Sequence, residues 1–340
     1  MLNILENVDI HNYSTLKIGG VFRYFVEVDT ASDLEKSFDW ARSKNVRVLI
    51  LGGGSNMVFP DGVIDLLAIK INIFGFHIIT DDHNYVDINI GAGENWDYVV
   101  ERAVGLGLSG IEAMSAIPGT AGATPIQNVG AYGQEIKDTL ISVEVYKIES
   151  NSLDTLYLKD CHFAYRESIF KHMFKDKYVI LSINLRLSKL PAKVPNYPGV
   201  KKYFEDKGIM HPSLSEIRDA IVDIRSLKLP DPKKIANVGS FFKNPIVEKS
   251  VADKLQIEHP KLVVFPVDET SVKVPAGWLI EFVGLKGKDF GKVSVYSHNA
   301  LVLVNNGSAT RADIEAVRDK IIKIVKDKFG IELSAEPEFV

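Results

Sequence analysis

A chain of 340 residues has room for two domains of about 150 residues, or for three smaller ones. Apolar residues make up 46% and charged residues 25%, an ordinary globular balance, and a net charge of −4 provides no basic field for nucleic acid or an anionic membrane. The single cysteine, Cys161, excludes a disulfide framework and a Cys-rich metal site. No run of about 18 apolar residues marks a membrane span. The polar, acidic start "MLNILENVDIHNYS" does not have the form of a signal peptide, so a soluble cytoplasmic protein is expected.

In chain order, residues 32–44 are predicted as a helix, with Ser32 and Glu35 at capping-box spacing and Leu34, Phe38 and Ala41 on one face. Arg47 to Leu51 is a buried strand running into glycines. The turn Phe59-Pro60-Asp61-Gly62 leads to a second apolar run, "VIDLLAIKI". Tyr85 to Ala92 alternates as a strand, and Asn95 to Gly105 carries the apolar stripe of a helix. Ala113 to Gly133 is too rich in Gly, Pro, Thr and Ala for one regular element. Ile141 to Ile148 and Tyr178 to Leu187 are strands, the second with Val179, Leu181, Ile183, Leu185 and Leu187 on one face. Residues 189–212 have the composition of a linker or exposed loop. Ser213 and Glu216 then cap a helix bearing Ile217, Ala220, Ile221 and Ile224, which stops before Leu229-Pro230-Asp231-Pro232. Ala276 to Val283 is a helix, Leu301 to Val304 a short strand, and Thr310 starts a helix with Ile314, Val317, Ile321, Ile324 and Val325 aligned. The pattern is α+β, strand-rich at first, with a smaller α/β unit from about residue 210.

Two segments suggest ligand chemistry. "VLILGGGSNM" at 48–57 imitates a dinucleotide turn, which requires Gly-x-Gly-x-x-Gly opening into a helix. Gly52 and Gly54 fit, but Met57 fills the third place and Phe59-Pro60 denies the helix. The remainder is either a backbone cradle for an anion or a tight turn. The irregular stretch Pro118 to Gly133 is a second backbone-exposing loop. Segments of this length without regular structure usually bind something. Two of them favour a large phosphate-bearing ligand held by main chain. The eight histidines show no metal-ligand spacing.

The motifs "LGGGSN" at 51–56, "GAGENWD" at 91–97, "IPGTAGATPIQNVGAYG" at 117–133, "FAYRESIFK" at 163–171, "RSLKLPDP" at 225–232, "VGSFFKNP" at 238–245, "AGWLIE" at 276–281 and "SAEPE" at 334–338 span nearly the whole chain. In this order the chain resembles the UDP-N-acetylenolpyruvoylglucosamine reductases (UDP-N-acetylmuramate dehydrogenases). The insert around Tyr197 resembles the form of the family that closes a tyrosine loop over its substrate.

The resemblance implies an FAD-binding fold of the vanillyl-alcohol oxidase and p-cresol methylhydroxylase type. Its division would be two FAD-binding subdomains at 1–68 and 69–210, a substrate domain at 211–330, and a return segment at 331–340. NADPH would reduce bound FAD. Hydride would then pass to the enolpyruvyl ether of UDP-N-acetylglucosamine, giving UDP-N-acetylmuramate for peptidoglycan. The flavin would rest on Gly52, Gly53, Gly54, Ser55, Asn56, Met57, Pro118, Gly119, Gly122, Ala123, Thr124, Gln127, Asn128 and Gly130. Ser240 matches the family's proton donor, Arg166 the partner of the substrate carboxylate, and Glu338 the acid that assists protonation, with Glu336 as the alternative register. Tyr165, Tyr197, Lys228, Asn244 and Asn299 match substrate-binding positions; Asn299 stands where relatives often carry a longer Gln. The chain stops soon after Glu338, which raises the expectation that this acid is loosely held. A monomer with no metal, membrane or nucleic-acid partner is expected. A different flavoenzyme, such as a sugar-alcohol oxidase, and a non-enzymatic nucleotide-sugar binder are the competing readings.

Overall fold

The structure, a computed structural model, describes residues 2–340 and divides into two compact units. Unit one comprises residues up to Val8, Phe22–Gly54 and Asp65–Ser226; unit two comprises Asp9–Val21, Ser55–Ile64 and Leu227–Val340.

Unit one holds two large sheets and a short pair of Gly130–Ala131 with Gln134–Glu135. In the first the strands run Leu5–Asp9, Val21–Val28, Val63–Ile71, Arg47–Leu51, the last two parallel. Val63–Ile71 is an inner strand, which is why Leu66 to Ile69 are all buried and the sequence shows an unbroken apolar run. The second sheet is antiparallel, in the order Ser152–Tyr157, Leu140–Lys147, Tyr178–Ser188, Tyr85–Gly91, Phe76–Asp81.

The central strand of that sheet departs from the one-faced alternation expected of it, because its second face is buried too. There Ser182 and Asn184 join a polar ladder. Asn89 donates to Ser182 Oγ and Asn184 Oδ1 at 2.9 Å, Asn184 donates to Ser142 Oγ at 3.0 Å, and Ser182 donates to Glu144 at 2.8 Å. Buried polar groups are tolerated here because each has a partner.

Four helices accompany the sheets: α1 (Ala31–Lys44), α2 (Trp96–Gly105), α3 (Pro198–Asp206) and α4 (Leu214–Lys228). The cap of α1 is Thr30 rather than Ser32. Thr30 Oγ1 accepts from Asp33 N–H at 3.1 Å, the same Ser/Thr-x-x-acid spacing placed two residues earlier. Helix α3 lies where a linker was expected. Pro198 at its first position suits a helix start, and Val200 and Phe204, four residues apart, bury against Ile217, Ala220, Ile221 and Ile224 of α4. The capping box of α4 is as expected, with Ser213 Oγ and Glu216 exchanging hydrogen bonds.

Unit two has an antiparallel sheet in the order Asn237–Ser240, Val302–Asn305, Val293–Val295, and a small sheet of Ile246–Glu248, Ser271–Lys273 and Phe265–Pro266. Its helices are α5 (Lys249–Glu258), α6 (Ala276–Phe282) and α7 (Arg311–Phe329). Phe241, Phe242, Leu279, Leu303, Ile314 and Ile321 are in its core, together with Leu16, Ile18 and Val58 from the early segments.

Candidate active site

In unit one the two glycine loops lie main chain against main chain. A Cβ on Gly52 would sit 2.7 Å from Thr120 Oγ1, and one on Gly53 would sit 2.9 Å from Gly119 Cα. One on Gly122 would meet Ala92 Cβ at 2.5 Å. The loop following Gly119 is pinned to the start of α2: Trp96 N–H donates to Gly119 O at 3.1 Å and Ala121 N–H to Glu94 O at 2.8 Å. Gly54 and Gly119 take the positive φ values, 59° and 125°, that favour glycine. Thr124 is buried, its hydroxyl donating to Ala121 O at 2.7 Å.

The same loop builds the seat of Arg166. The turn Ala164–Glu167 closes on itself through two backbone hydrogen bonds, with Arg166 at φ 56° near its tip. Ser168 Oγ donates to Ile126 O at 2.6 Å, and Asn128 Nδ2 donates to Ala164 O at 3.0 Å. Arg166 Nη2 in turn donates to Gly130 O at 2.9 Å, and its guanidinium stands 5.4 Å from the Tyr165 ring centroid. Asn128, fully buried at φ 46°, also donates to Glu135 and accepts from Lys137 N–H. Its side chain therefore shapes the loop from within.

Tyr197 caps the N-terminus of α3, with its ring edge-on to Tyr132 at 5.2 Å. Burial raises the Tyr132 hydroxyl above its ordinary range, against the pull of Arg225. Burial also lowers the Arg225 guanidinium, which feels opposing attraction from Tyr132 and Asp97 and repulsion from Arg166. Asp97 is depressed despite its burial, because Arg218 at 2.7 Å and Ala116 N–H hold it ionised.

In unit two, Ser240 ends a strand that contains a bulge. Asn237 pairs with Val304 and Ser240 with Val302, so three steps on one strand oppose two on the other. Gly239 takes the extra place at φ 73°, with open space where a Cβ would stand. Such bulges re-aim a side chain next to reactive sites. Ser240 is half-buried.

The chain after Ser240 is laced to the C-terminal segment: Glu336 N–H donates to Phe241 O at 2.9 Å and Lys243 N–H to Ser334 O at 2.9 Å. That segment continues as the strand Glu338–Phe339, parallel to Met57–Val58, with Glu338 N–H donating to Asn56 O at 2.9 Å. Arg311 donates to Val340 O at 2.5 Å, and Arg311 and Arg318 both face the Phe339 ring. The backbone of Glu338 is thus tied within unit two, and its side chain is exposed. In unit two the C-terminal segment is hydrogen-bonded on one side to Phe241, the residue after Ser240, and on the other to Asn56.

Other expected residues have local duties. Asn244 Oδ1 accepts from Ala276 N–H at 2.9 Å at the start of α6. Asn299 Oδ1 accepts from Leu301 N–H at 3.0 Å, closing its own turn. Lys228 ends α4 with an exposed side chain.

Residues 22–151 match the family model of an FAD binding domain, and residues 231–340 match that of the UDP-N-acetylenolpyruvoylglucosamine reductase C-terminal domain. The chain is 41% identical over 336 residues to the UDP-N-acetylenolpyruvoylglucosamine reductase of Flavobacterium johnsoniae, covering 98% of this chain and 99% of that one. With the Pseudomonas aeruginosa reductase it is 37% identical over 336 residues, covering 99% and 98%. The chain belongs to the UDP-N-acetylenolpyruvoylglucosamine reductase family. The crystal structure of the Thermus caldophilus reductase shares its fold, with a TM-score of 0.70 at 21% identity, covering 100% of this chain and 99% of that one.

The flavin dinucleotide of this reductase family calls for main chain bared of side chains, where N–H groups converge on a diphosphate. Gly52 and Gly53 of unit one must stay bare for the two loops to lie this close, since added side chains there would collide with the facing loop. Asn128, expected at the flavin, also supports the Arg166 turn, and sequence reasoning missed Arg225 as a half-buried cation beside Tyr132 and Asn237 beneath the Ser240 bulge. Arg225 stood in a quoted motif. The only signal for Asn237 was its place two residues before Gly239. Among the described residues no group of three His, Cys, Asp or Glu side chains is placed to hold a metal, and no helix is long and apolar enough to cross a membrane.

Proposed function

We propose that this chain reduces the enolpyruvyl ether of UDP-N-acetylglucosamine to UDP-N-acetylmuramate in peptidoglycan precursor synthesis, with NADPH as reductant. When bound, FAD supplies two-electron reducing power drawn from NADPH. The observation that carries the chemistry is the bulge at Gly239, which sets Ser240 directly before Phe241, whose carbonyl accepts from Glu336 N–H.

Reduction of the vinyl group builds negative charge on the carbon beside a carboxylate, so that carbon must be stabilised and protonated. Arg166 pairs with the carboxylate; its planar fork stays charged throughout, and its Nη2–Gly130 hydrogen bond fixes its plane. Ser240 donates the proton. A serine hydroxyl is a weak acid, so it serves only a strongly basic carbon and needs neighbouring groups to steady its oxyanion. Glu338 assists the protonation of that carbon. Tyr165, Tyr197, Lys228, Asn244 and Asn299 hold the nucleotide sugar, with Lys228 as a point charge for its diphosphate. Gly52–Met57 and the Pro118–Gly130 loop hold the flavin. The two flavin subdomains take in residues up to 210, with Tyr165, Arg166 and the loop near Tyr197 lent to the substrate; 211–330 serve the substrate, and 331–340 return to the reacting groups. A soluble nucleotide-sugar substrate fits a cytoplasmic enzyme, acting as a monomer.

The test separates the half-reactions. The FAD-loaded Ser240→Ala variant should be reduced by NADPH at the wild-type rate. Its reoxidation by the enolpyruvyl substrate should fall by roughly a hundred-fold or more, the scale of a lost general acid. Equal loss in both half-reactions removes Ser240 from proton delivery, and fast reoxidation by oxygen with a polyol substrate removes the reductase assignment.

A further inference from the structure

Gly239 permits the bulge, but permission is not enforcement. A glycine with open space around it has other conformations within reach, and something must select this one. The side chain of Asn237 does so. It is 3% exposed, and each polar atom it carries is hydrogen-bonded to main chain. Nδ2 donates to Pro230 O at 3.1 Å and to Ile235 O at 2.7 Å, and Oδ1 accepts from Gly239 N–H at 2.8 Å. The Asn237 backbone N–H is itself fixed on Thr15 O at 3.0 Å. One amide thereby joins the loop that follows Lys228 to the extra residue of the bulge.

We infer that Asn237 is a positioning residue for proton delivery: it locks the bulge that aims Ser240 and couples that aim to the Pro230–Ile235 loop. The inference rests on Ser240 as proton donor. Only an amide fits these contacts, because the site asks for two N–H donors and one acceptor on a single short side chain. An aspartate keeps the acceptor but faces two carbonyl oxygens without a donor. A leucine strands Pro230 O, Ile235 O and Gly239 N–H in the interior.

Asn305 provides an internal control. It too is buried, donates to Leu16 O at 3.0 Å and Lys17 O at 3.1 Å, and accepts from Gly307 N–H at 2.8 Å and Ala309 N–H at 3.0 Å. Its chemistry matches that of Asn237, but its side chain holds other loops.

The experiment compares FAD-loaded wild type with Ser240→Ala, Asn237→Asp, Asn237→Leu and Asn305→Asp by rapid mixing, with hydrogen exchange at the Gly239 amide as a second readout. In both Asn237 variants, reduction by NADPH should keep the wild-type rate. Reoxidation by the enolpyruvyl substrate should slow by roughly ten- to hundred-fold, the scale of an ångström of misplacement, and Gly239 should lose protection in Asn237→Leu, where the acceptor is gone. Asn237→Asp should slow further as pH rises, because the neutral carboxyl can donate one of the lost hydrogen bonds and the carboxylate cannot; wild type should lack that dependence. Asn305→Asp should lose thermal stability without selective slowing of reoxidation. Reoxidation within two-fold of wild type in folded Asn237→Asp overturns the inference, as does equal slowing by Asn305→Asp. If Ser240→Ala itself reoxidises normally, the proton-donor reading fails and this inference falls with it. If Ser240→Ala is slow and Asn237→Asp is not, only the role of Asn237 is lost.

Discussion

Gly53 has no room for a side chain. Its own position is exposed, yet a Cβ there would stand 2.9 Å from Gly119 Cα, and backbone atoms cannot swing aside as a flexible side chain can. Gly53→Ala should therefore push the two loops apart at a cost of about 1–3 kcal/mol. The expected outcome is a folded protein that retains FAD at least tenfold less tightly, measured as flavin remaining after gel filtration across a dilution series. Undiminished flavin retention would show that the loops do not form the cradle. The need for bare backbone was legible in "LGGGSN" and "IPGTAGATP", but that the two loops face each other was not, because no local pattern encodes a contact between distant turns. The same divide separates Ser240 from Asn237. The serine stands out in "VGSFFKNP", whereas the amide beneath it looks like any residue entering a strand. Its meaning lies in Pro230 O, Ile235 O and Gly239 N–H, which only the fold assembles.

Elements whose signals are local were readable to within a residue or two. Arg47–Leu51, Trp96–Gly105 and Arg311–Phe329 each pair a run of suitable period with a clear start or stop. Helix α5 was missed because only Ala252 and Leu255 are buried, too short a stripe to show periodicity. Helix α3 was missed because its Pro, Lys and Tyr content imitates a loop, and Val200 and Phe204 gain meaning only against α4. The start of α7 supports a pH prediction. Asp313 is held down to about 2 from an ordinary 3.8, chiefly by the Thr310 hydroxyl and backbone N–H, with Lys292 adding to them. Its folded-state value lies below its unfolded value, so the unfolded chain binds more protons in that window. The stabilisation is full above pH 3.8 and is lost as pH falls towards about 2. Wild type should thus be more stable than Asp313→Asn at pH 5, with the gap narrowing by pH 2.5. Urea unfolding at the two pH values measures it, and an unchanged gap would mean that the capping box does not depend on the charge.

At the scale of the molecule, unit two is built from separated stretches of chain. Leu16, Ile18 and Val58 are fully buried among the residues of α6 and α7 and their strands. The main chain is equally committed, with Asn237 N–H on Thr15 O, Asn305 Nδ2 on Leu16 O and Lys17 O, and Glu338–Phe339 paired with Met57–Val58. Sequence reading works along the chain and sees the C-terminal third as a self-contained α/β pattern, because its own helices and strands are locally well signalled. What it does not see is that the core of that third is completed from residues before 65. Burying each of the three side chains is worth about 1.5–3 kcal/mol. Losing them together, with the strand beside Glu338, approaches the whole stability of about 5–15 kcal/mol that a domain possesses. A fragment of residues 227–340 should accordingly keep some helix but show no cooperative thermal transition and no dispersed amide spectrum. Cooperative unfolding within a few degrees of the full chain would show that the early segments decorate this unit without completing it. The Ser240 bulge depends on the same assembly, since Asn237 takes its backbone anchor from Thr15. Adding a peptide of residues 9–21 alone should fail to restore the fold, because the strand at Met57–Val58 is still lacking. Restoration by that peptide would place the deficit in Leu16, Ile18 and the Thr15 carbonyl alone.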